Sequence, residues 1–190
     1  APSSSLEPLL TAWGLRFDTT RFVADDRYAL QISAGPGRRP IRHIGLLGVD
    51  GEGIADADVV TAELGTLNLG TAGRLTLAEE ASATLEPLVS SSPEAALLAT
   101  ERLAQLADPG ELLDGFEPAN ERFTLAARLS GRLESAFDGP PADVLDAGEG
   151  DGGDDTQANA GEAAAAHLSA TDDANLIVVA DVDVLSDRLW

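Results

Sequence analysis

Leu176-Ile177-Val178-Val179-Ala180, followed by Asp181-Val182-Asp183-Val184-Leu185-Ser186-Asp187-Arg188, is the stretch on which the fold turns. Five apolar residues in a row, three of them β-branched, read as a strand covered on both faces, the habit of a central parallel strand. The polar turn after it leads into a helix starting near Val184. Outward from this strand, Phe123, Leu125, Ala127 and Leu129 alternate within Arg122 to Leu133, and Tyr28, Leu30 and Ile32 alternate within Arg21 to Ser33. Both are strands with one buried face. The three segments are expected to share one sheet flanked by helices, with Leu176 and Val178 buried.

The rest of the chain supplies the flanking elements. Leu6, Leu9, Leu10 and Trp13 recur at helical spacing, with Ser5 as a cap, Pro8 in the first turn and Gly14 as a left-handed stop. After the loop Gly35-Pro36-Gly37-Arg38-Arg39-Pro40 comes a second apolar run, Ile41 to Val49. Asp58 to Leu69 reads as a helix capped by Asp58, with Val59, Val60, Leu64 and Leu67 on its apolar side. Arg74 to Leu77 and Thr84 to Ser90 read as short strands. Ser92-Pro93-Glu94 opens a further helix to about Ala107, stopped by Asp108-Pro109-Gly110. Helices alternating with strands define an α/β chain: one domain over residues 1–190, with a central, mostly parallel or mixed sheet and helices on its faces.

Composition narrows the function. The 190 residues carry 33 acids against 12 bases, a net charge of −21, and every base is Arg. Such a field repels phosphate backbones and anionic lipid headgroups, so nucleic acid and membrane surfaces are poor partners. With no Cys there is no disulfide, thiolate nucleophile or Cys-ligated zinc. The absence of Met, and an end that falls inside an apparent helix, suggest a piece excised from a longer protein. No apolar run reaches the ~20 residues of a membrane span. Residues 139–173 stand apart: Asp138 to Asp173 holds ten acids and no Arg, with the low-complexity run Gly148 to Asp155. This is expected to be a mobile acidic insertion, with a short helix in Gly161 to Leu168.

Candidate sites are few. Asp181, Asp183 and Ser186, at the carboxyl end of the last strand, have the chemistry to contact a cation or sugar hydroxyls; equally, Asp183 caps the next helix and Asp181 accepts loop amides. Arg38, Arg39 and Arg42, with His43 beside them, form the one basic cluster, either a solvated turn or an anion-binding surface. Asp151, Asp154 and Asp155 lack the glycine and terminal glutamate of a calcium loop, so no metal site is assigned. Neither His43 nor His167 has an evident orienting partner. Ser90-Ser91-Ser92 lies between a strand and a helix but lacks the glycines of a nucleophile elbow, and no phosphate-cradling motif is present. No cofactor is expected.

Four sets of residues also carry a family likeness: Leu9-Leu10-Thr11-Ala12-Trp13-Gly14; Thr61-Ala62-Glu63-Leu64 with Leu67-Asn68-Leu69; Leu125 to Gly131 with Ser135-Ala136-Phe137; and Ile177 to Asp181 with Leu185-Ser186-Asp187. In this order they resemble the soluble region of the ABC-type uncharacterised transport system proteins, the family of the gliding-motility auxiliary component. The resemblance implies an extracytoplasmic (periplasmic) domain, tethered to the inner membrane by segments outside this chain and working beside an ABC permease and its ATPase. It also implies kinship with a domain of an intraflagellar transport protein, a layered fold like class I glutamine amidotransferases or flavodoxins, and that this chain is the later part of a larger soluble region, since the family's strands before the leading helix are missing from it. The leading expectation is therefore a non-enzymatic auxiliary module that binds a partner protein or a glycan. The rival is a carbohydrate- or ester-acting hydrolase using Asp181, Asp183 and a serine.

Overall fold

The computed structural model describes residues 6–33, 37, 39–139 and 167–189. It replaces the expected α/β layers with antiparallel β-structure: among the described residues every strand pairing is antiparallel, and the two α-helices are a turn or two long. In chain order the elements are α1 (Glu7–Ala12), β1 (Leu15–Phe17), β2 (Arg21–Asp25), β3 (Ala29–Ile32), β4 (Ile41–Asp50), β5 (Thr66–Gly70), β6 (Leu75–Leu77), β7 (Ala83–Ser90), β8 (Ala95–Ala99), α2 (Glu101–Ala104), β9 (Thr124–Glu134) and β10 (Ala170–Val179). Short 3-10 turns stand at Pro109–Leu113, Asp183–Leu185 and Asp187–Leu189.

Among the described residues the strands form three sheets. β9 is the spine of the largest, flanked by β7 and by β10, with Leu75 of β6 taking up the pairing at Thr124 and β1 beyond β6. β3, β4 and β5 form a second sheet, and β2 with β8 a third. The expectation of one sheet holding Arg21–Ser33, Arg122–Leu133 and Asn175–Ala180 is thus corrected. Only the last two share a sheet, and the first is two strands broken by a tight turn. Leu176 and Val178 are half-buried rather than enclosed.

Two predicted helices are strands for identifiable reasons. In Asp58 to Leu69 only one turn forms, where Asp58 Oδ1 accepts from Val60 N at 2.8 Å. Val59 is 90% exposed, so a helix would have nothing to bury there. From Thr66 the chain alternates as β5, with Leu69 fully buried. In the segment after Ser92, Ala95 to Ala99 are good helix formers by intrinsic preference, yet they pair residue for residue with β2, with Ala95 and Ala96 buried against it. Tertiary pairing overrides a propensity of tenths of a kcal/mol per residue. The helix expected after Asp183 is reduced to two 3-10 turns.

The main core lies between the sheets, where Val23, Leu47, Val49, Leu69, Leu88, Val89 and Leu125 meet. On the other face of β9 and β10, α1 sets Leu10 and Trp13 against two smaller clusters around Leu15, Leu75, Ala127, Leu129 and Leu133. Gly14 ends α1 at φ +68°, and a Cβ there would come within 2.5 Å of Ala81 Cβ, so only glycine allows this approach. Both faces of the β10 tip are therefore covered, Val179 by the main core and Val178 by the α1 side. An antiparallel edge strand whose tip meets apolar residues on both faces carries the unbroken apolar run of a parallel one.

Of the acidic stretch, residues 140–166 lie outside the described residues, as do the calcium-loop candidates and most of the helix expected in 161–168. From Ala170 the chain is strand β10, and Asp172 pairs with Arg132 at 2.7 Å. Among the described residues, no helix is long and apolar enough to cross a membrane.

Candidate functional site

A cleft of about 290 Å³ opens where β10 ends. Its walls come from α1 (Leu6, Leu10), β1 (Phe17), the crossover after β5 (Gly70, Thr71) and the turn Asp181-Val182-Asp183. Three apolar side chains at this site face solvent: Leu6 is 60% exposed, Phe17 38% and Val182 90%. Water-exposed apolar groups around a concavity cost free energy unless something covers them, which makes this the candidate binding surface.

Backbone hydrogen bonds fix the cleft floor. Thr71 N donates to Gly45 O (2.7 Å), Val23 N to Ala72 O (2.7 Å) and Gly73 N to Ala180 O (2.8 Å), so three consecutive residues are tied to three different strands. They hold Thr71 at φ +53°, a conformation that costs a β-branched residue about 1–2 kcal/mol. Asp181 completes the frame. Its Oδ2 accepts from Gly70 N at 2.6 Å and its Oδ1 from Asp183 N at 2.7 Å. Burial raises its pKa above the ordinary carboxylate value; the two amide hydrogen bonds pull the other way, and nearby Asp183 adds to the rise.

Asp181 and Asp183 are thus brought together at the cleft, one tied to β5 and one exposed on the first residue of a 3-10 turn. Ser186 lies just beyond, half-buried, its N–H donating to Asp183 O at 2.7 Å. Asn68 Nδ2 donates to Leu189 O, so the Leu67-Asn68-Leu69 and Leu185-Ser186-Asp187 stretches meet at one place.

The other singled-out residues do not converge here. Arg38 lies outside the described residues and Arg39 is exposed. Arg42 pairs with Asp26 at 3.2 Å and also donates to the Asp26 carbonyl. His43 accepts from Gly45 N on Nδ1 at 3.2 Å, and burial lowers its pKa. His167 meets Phe137 O at 3.0 Å. Ser91 and Ser92 are fully buried in structural bonds. A second cleft of about 400 Å³ lies beside Trp13 and Gly14, but its charged lining is engaged in the Arg16–Glu80 and Arg132–Glu134 pairs.

Two polar constellations were not visible in the sequence. Asp25, fully buried, accepts from Ser92 N (2.6 Å), Ser92 Oγ (2.8 Å), Arg27 N (2.9 Å) and Tyr28 N (3.2 Å). It locks the β2–β3 turn onto the β7–β8 connection. Arg128 grips Asp58 bidentately, both bonds 2.7 Å, and also binds Asn175; the guanidinium hydrogen bonds lower the Asp58 pKa to about 2. The only signal for either was an acid within or beside an apolar stretch. Among the described residues, no three His, Asp or Glu side chains cluster as a metal site would require.

A family model described as ABC-type uncharacterized transport system matches residues 1–190. No curated protein and no solved structure matches the chain. The stretches that carried the resemblance are those that build β9, β10, β5 and the Asp181 turn, so they shape the frame of the cleft. With a match that spans its whole length, the chain belongs to the ABC-type uncharacterized transport system family.

Proposed function

We propose that this domain is a non-catalytic auxiliary module of an ABC transport system, which binds a partner protein of that system on the extracytoplasmic side of the membrane. The family match supports the transport setting. The observation that carries the binding role is the cleft at the end of β10, with Leu6, Phe17 and Val182 held open to solvent on a rigid frame. A protein partner suits it better than a glycan, because the walls are mainly apolar and the Asp181 oxygens are already occupied by Gly70 N and Asp183 N.

The same bonds weigh against the hydrolase reading. A carboxylate that accepts two backbone amides is a structural brace, and a general acid or base must be free to reach its substrate. Ser91 and Ser92 are buried and bonded, away from the cleft. The test is purification of the full-length protein from its native membrane. Permease and ATPase subunits should come with it, and should be lost with Val182→Asp, which places a charge on the apolar rim while leaving the core untouched. Purification without transport subunits would overturn the proposal.

A further inference from the structure

We infer that the outer edge of β10 receives a strand from the partner, so that the partner's chain extends the large sheet and runs on into the cleft. This rests on the auxiliary-module reading and names the mode of recognition and the chemistry of the bound segment.

Among the described residues β10 is the last strand on its side of the sheet, paired with β9 along one edge only. Ala180 N donates to Leu125 O on the β9 side at 2.8 Å. The two-residue alternation of an antiparallel ladder then turns the N–H and C=O groups of Asn175, Ile177 and Val179 outward. Among the described residues no backbone group meets them. Exposed edges of this kind are templates for strand addition, and proteins usually blunt them with charges or bulges. The first half of β10 is blunted in both ways: Asp172 and Asp173 sit there, and the register slips between Thr171 and Ala174. The second half, Asn175 to Val179, has regular register, no charge and an Ile177 that is 41% exposed. It leads directly into the cleft, whose wall includes Val178 and Val179.

Charge selects the occupant. An antiparallel second copy centred on Ile177 would set Asp173 of one copy opposite Asp181 of the other, between two chains of net charge −21 each. Like charges directly opposite disfavour such a pair. A segment with alternating apolar residues and Arg or Lys near both ends complements the edge instead. Its cations would face Asp173 and the exposed Asp183, and an apolar residue would fill the space between Leu6, Phe17 and Val182. Asp173 and Asp181 are eight residues apart, about 26 Å of extended chain, so a segment of roughly ten residues suffices.

The test uses the full chain and a synthetic ten-residue probe in which Val alternates with Thr between Arg-containing ends. We expect saturable binding, with amide hydrogen exchange slowed at Asn175, Ile177 and Val179 and unchanged at the intervening residues. Ile177→Pro removes one outward N–H at a position where an edge strand tolerates proline, and should weaken binding by at least about tenfold. Asp173→Arg/Asp183→Arg, both at exposed positions, gives the same test without touching the backbone: it should weaken the Arg-ended probe and favour a Glu-ended one. Equal binding by wild type and both variants, exchange at the three amides already slow in the free protein, or association of the chain with itself through β10 would each overturn the inference. Native-membrane purification separates this from the reading beneath it. If transport subunits accompany both wild type and Ile177→Pro, strand addition fails and the auxiliary role stands; if they accompany neither, the auxiliary role fails.

Discussion

Asp25→Ala tests whether the fold depends on a buried polar lock that joins segments 67 residues apart. In the native chain one carboxyl satisfies four donors: Ser92 N at 2.6 Å, Ser92 Oγ at 2.8 Å, Arg27 N at 2.9 Å and Tyr28 N at 3.2 Å. Both Asp25 and Ser92 are fully buried. Alanine leaves no acceptor in that space. The Arg27 amide, near the surface, can turn to water, but the two Ser92 donors and Tyr28 N lie inside. At ~1–3 kcal/mol for each of these three orphaned buried groups, the loss is about 3–9 kcal/mol, a large part of the stability of an ordinary domain. Ser92→Ala removes only the hydroxyl, which also accepts from Glu94 N at 3.0 Å, and should cost about 1–2 kcal/mol. Because the two side chains share one bond, the double variant should be more stable than the sum of the singles implies, with a coupling of ~1–2 kcal/mol. Urea unfolding followed by far-ultraviolet circular dichroism measures all four corners of the cycle. If Asp25→Ala stays within about 1 kcal/mol of wild type, or the singles add to within ~0.5 kcal/mol, the lock is not what holds these loops.

Three further outcomes follow from the site and the charge. Asp58 has its pKa lowered from 3.8 to about 2 by Arg128, so its contribution is complete above about pH 4 and is lost as pH falls toward 2; Asp58→Asn should be less stable than wild type at neutral pH and converge with it near pH 2 in acid-titration melts. Asp181→Ala should lower stability by ~1–3 kcal/mol by orphaning Gly70 N and Asp183 N. Since burial raises the Asp181 pKa, protonation favours the folded chain, and the wild type should gain on this variant as pH falls into the carboxylate range, a trend read from paired urea curves. Finally, a chain of net charge −21 repels itself, so its melting temperature should rise between about 20 mM and about 500 mM NaCl; a flat scanning-calorimetry profile would show that repulsion contributes little.

The sequence revealed strands wherever one face of the chain is buried and the other wet. Alternation in Phe123 to Leu129 marks β9, and the apolar run Ile41 to Val49, given no element type from its pattern, covers β4 almost to its last residue. It misled where two physical situations share one pattern. Leu176 to Ala180 is apolar throughout because both faces of its tip are covered, which periodicity cannot distinguish from a place inside a parallel sheet. Ser92-Pro93-Glu94 carries the chemistry of a helix start, yet the Ser92 hydroxyl serves Asp25 and the Glu94 amide at a strand-to-strand turn. Both errors pushed the same way, toward helices between parallel strands. Asp181 could be singled out because it and Asp183 stand two residues apart at the carboxyl end of a strand, whereas its partner, Gly70 N, is 111 residues away and left no trace in local sequence. Leu6 stood on the apolar face of the leading helix, where burial is the rule, and its exposure left no mark in the sequence, because exposure is decided by what packs beside a side chain and not by its type.

Photo-crosslinking from the cleft in the native membrane tests the central claim most directly. A benzophenone amino acid at Val182, on the rim of the cleft, is compared with the same residue at Val59, equally exposed but outside it. Adducts with a membrane-spanning permease subunit of the transport system are expected from Val182 and not from Val59. Adducts of equal yield from both positions, or none from Val182 with transport subunits, would contradict a partner-binding role for the cleft.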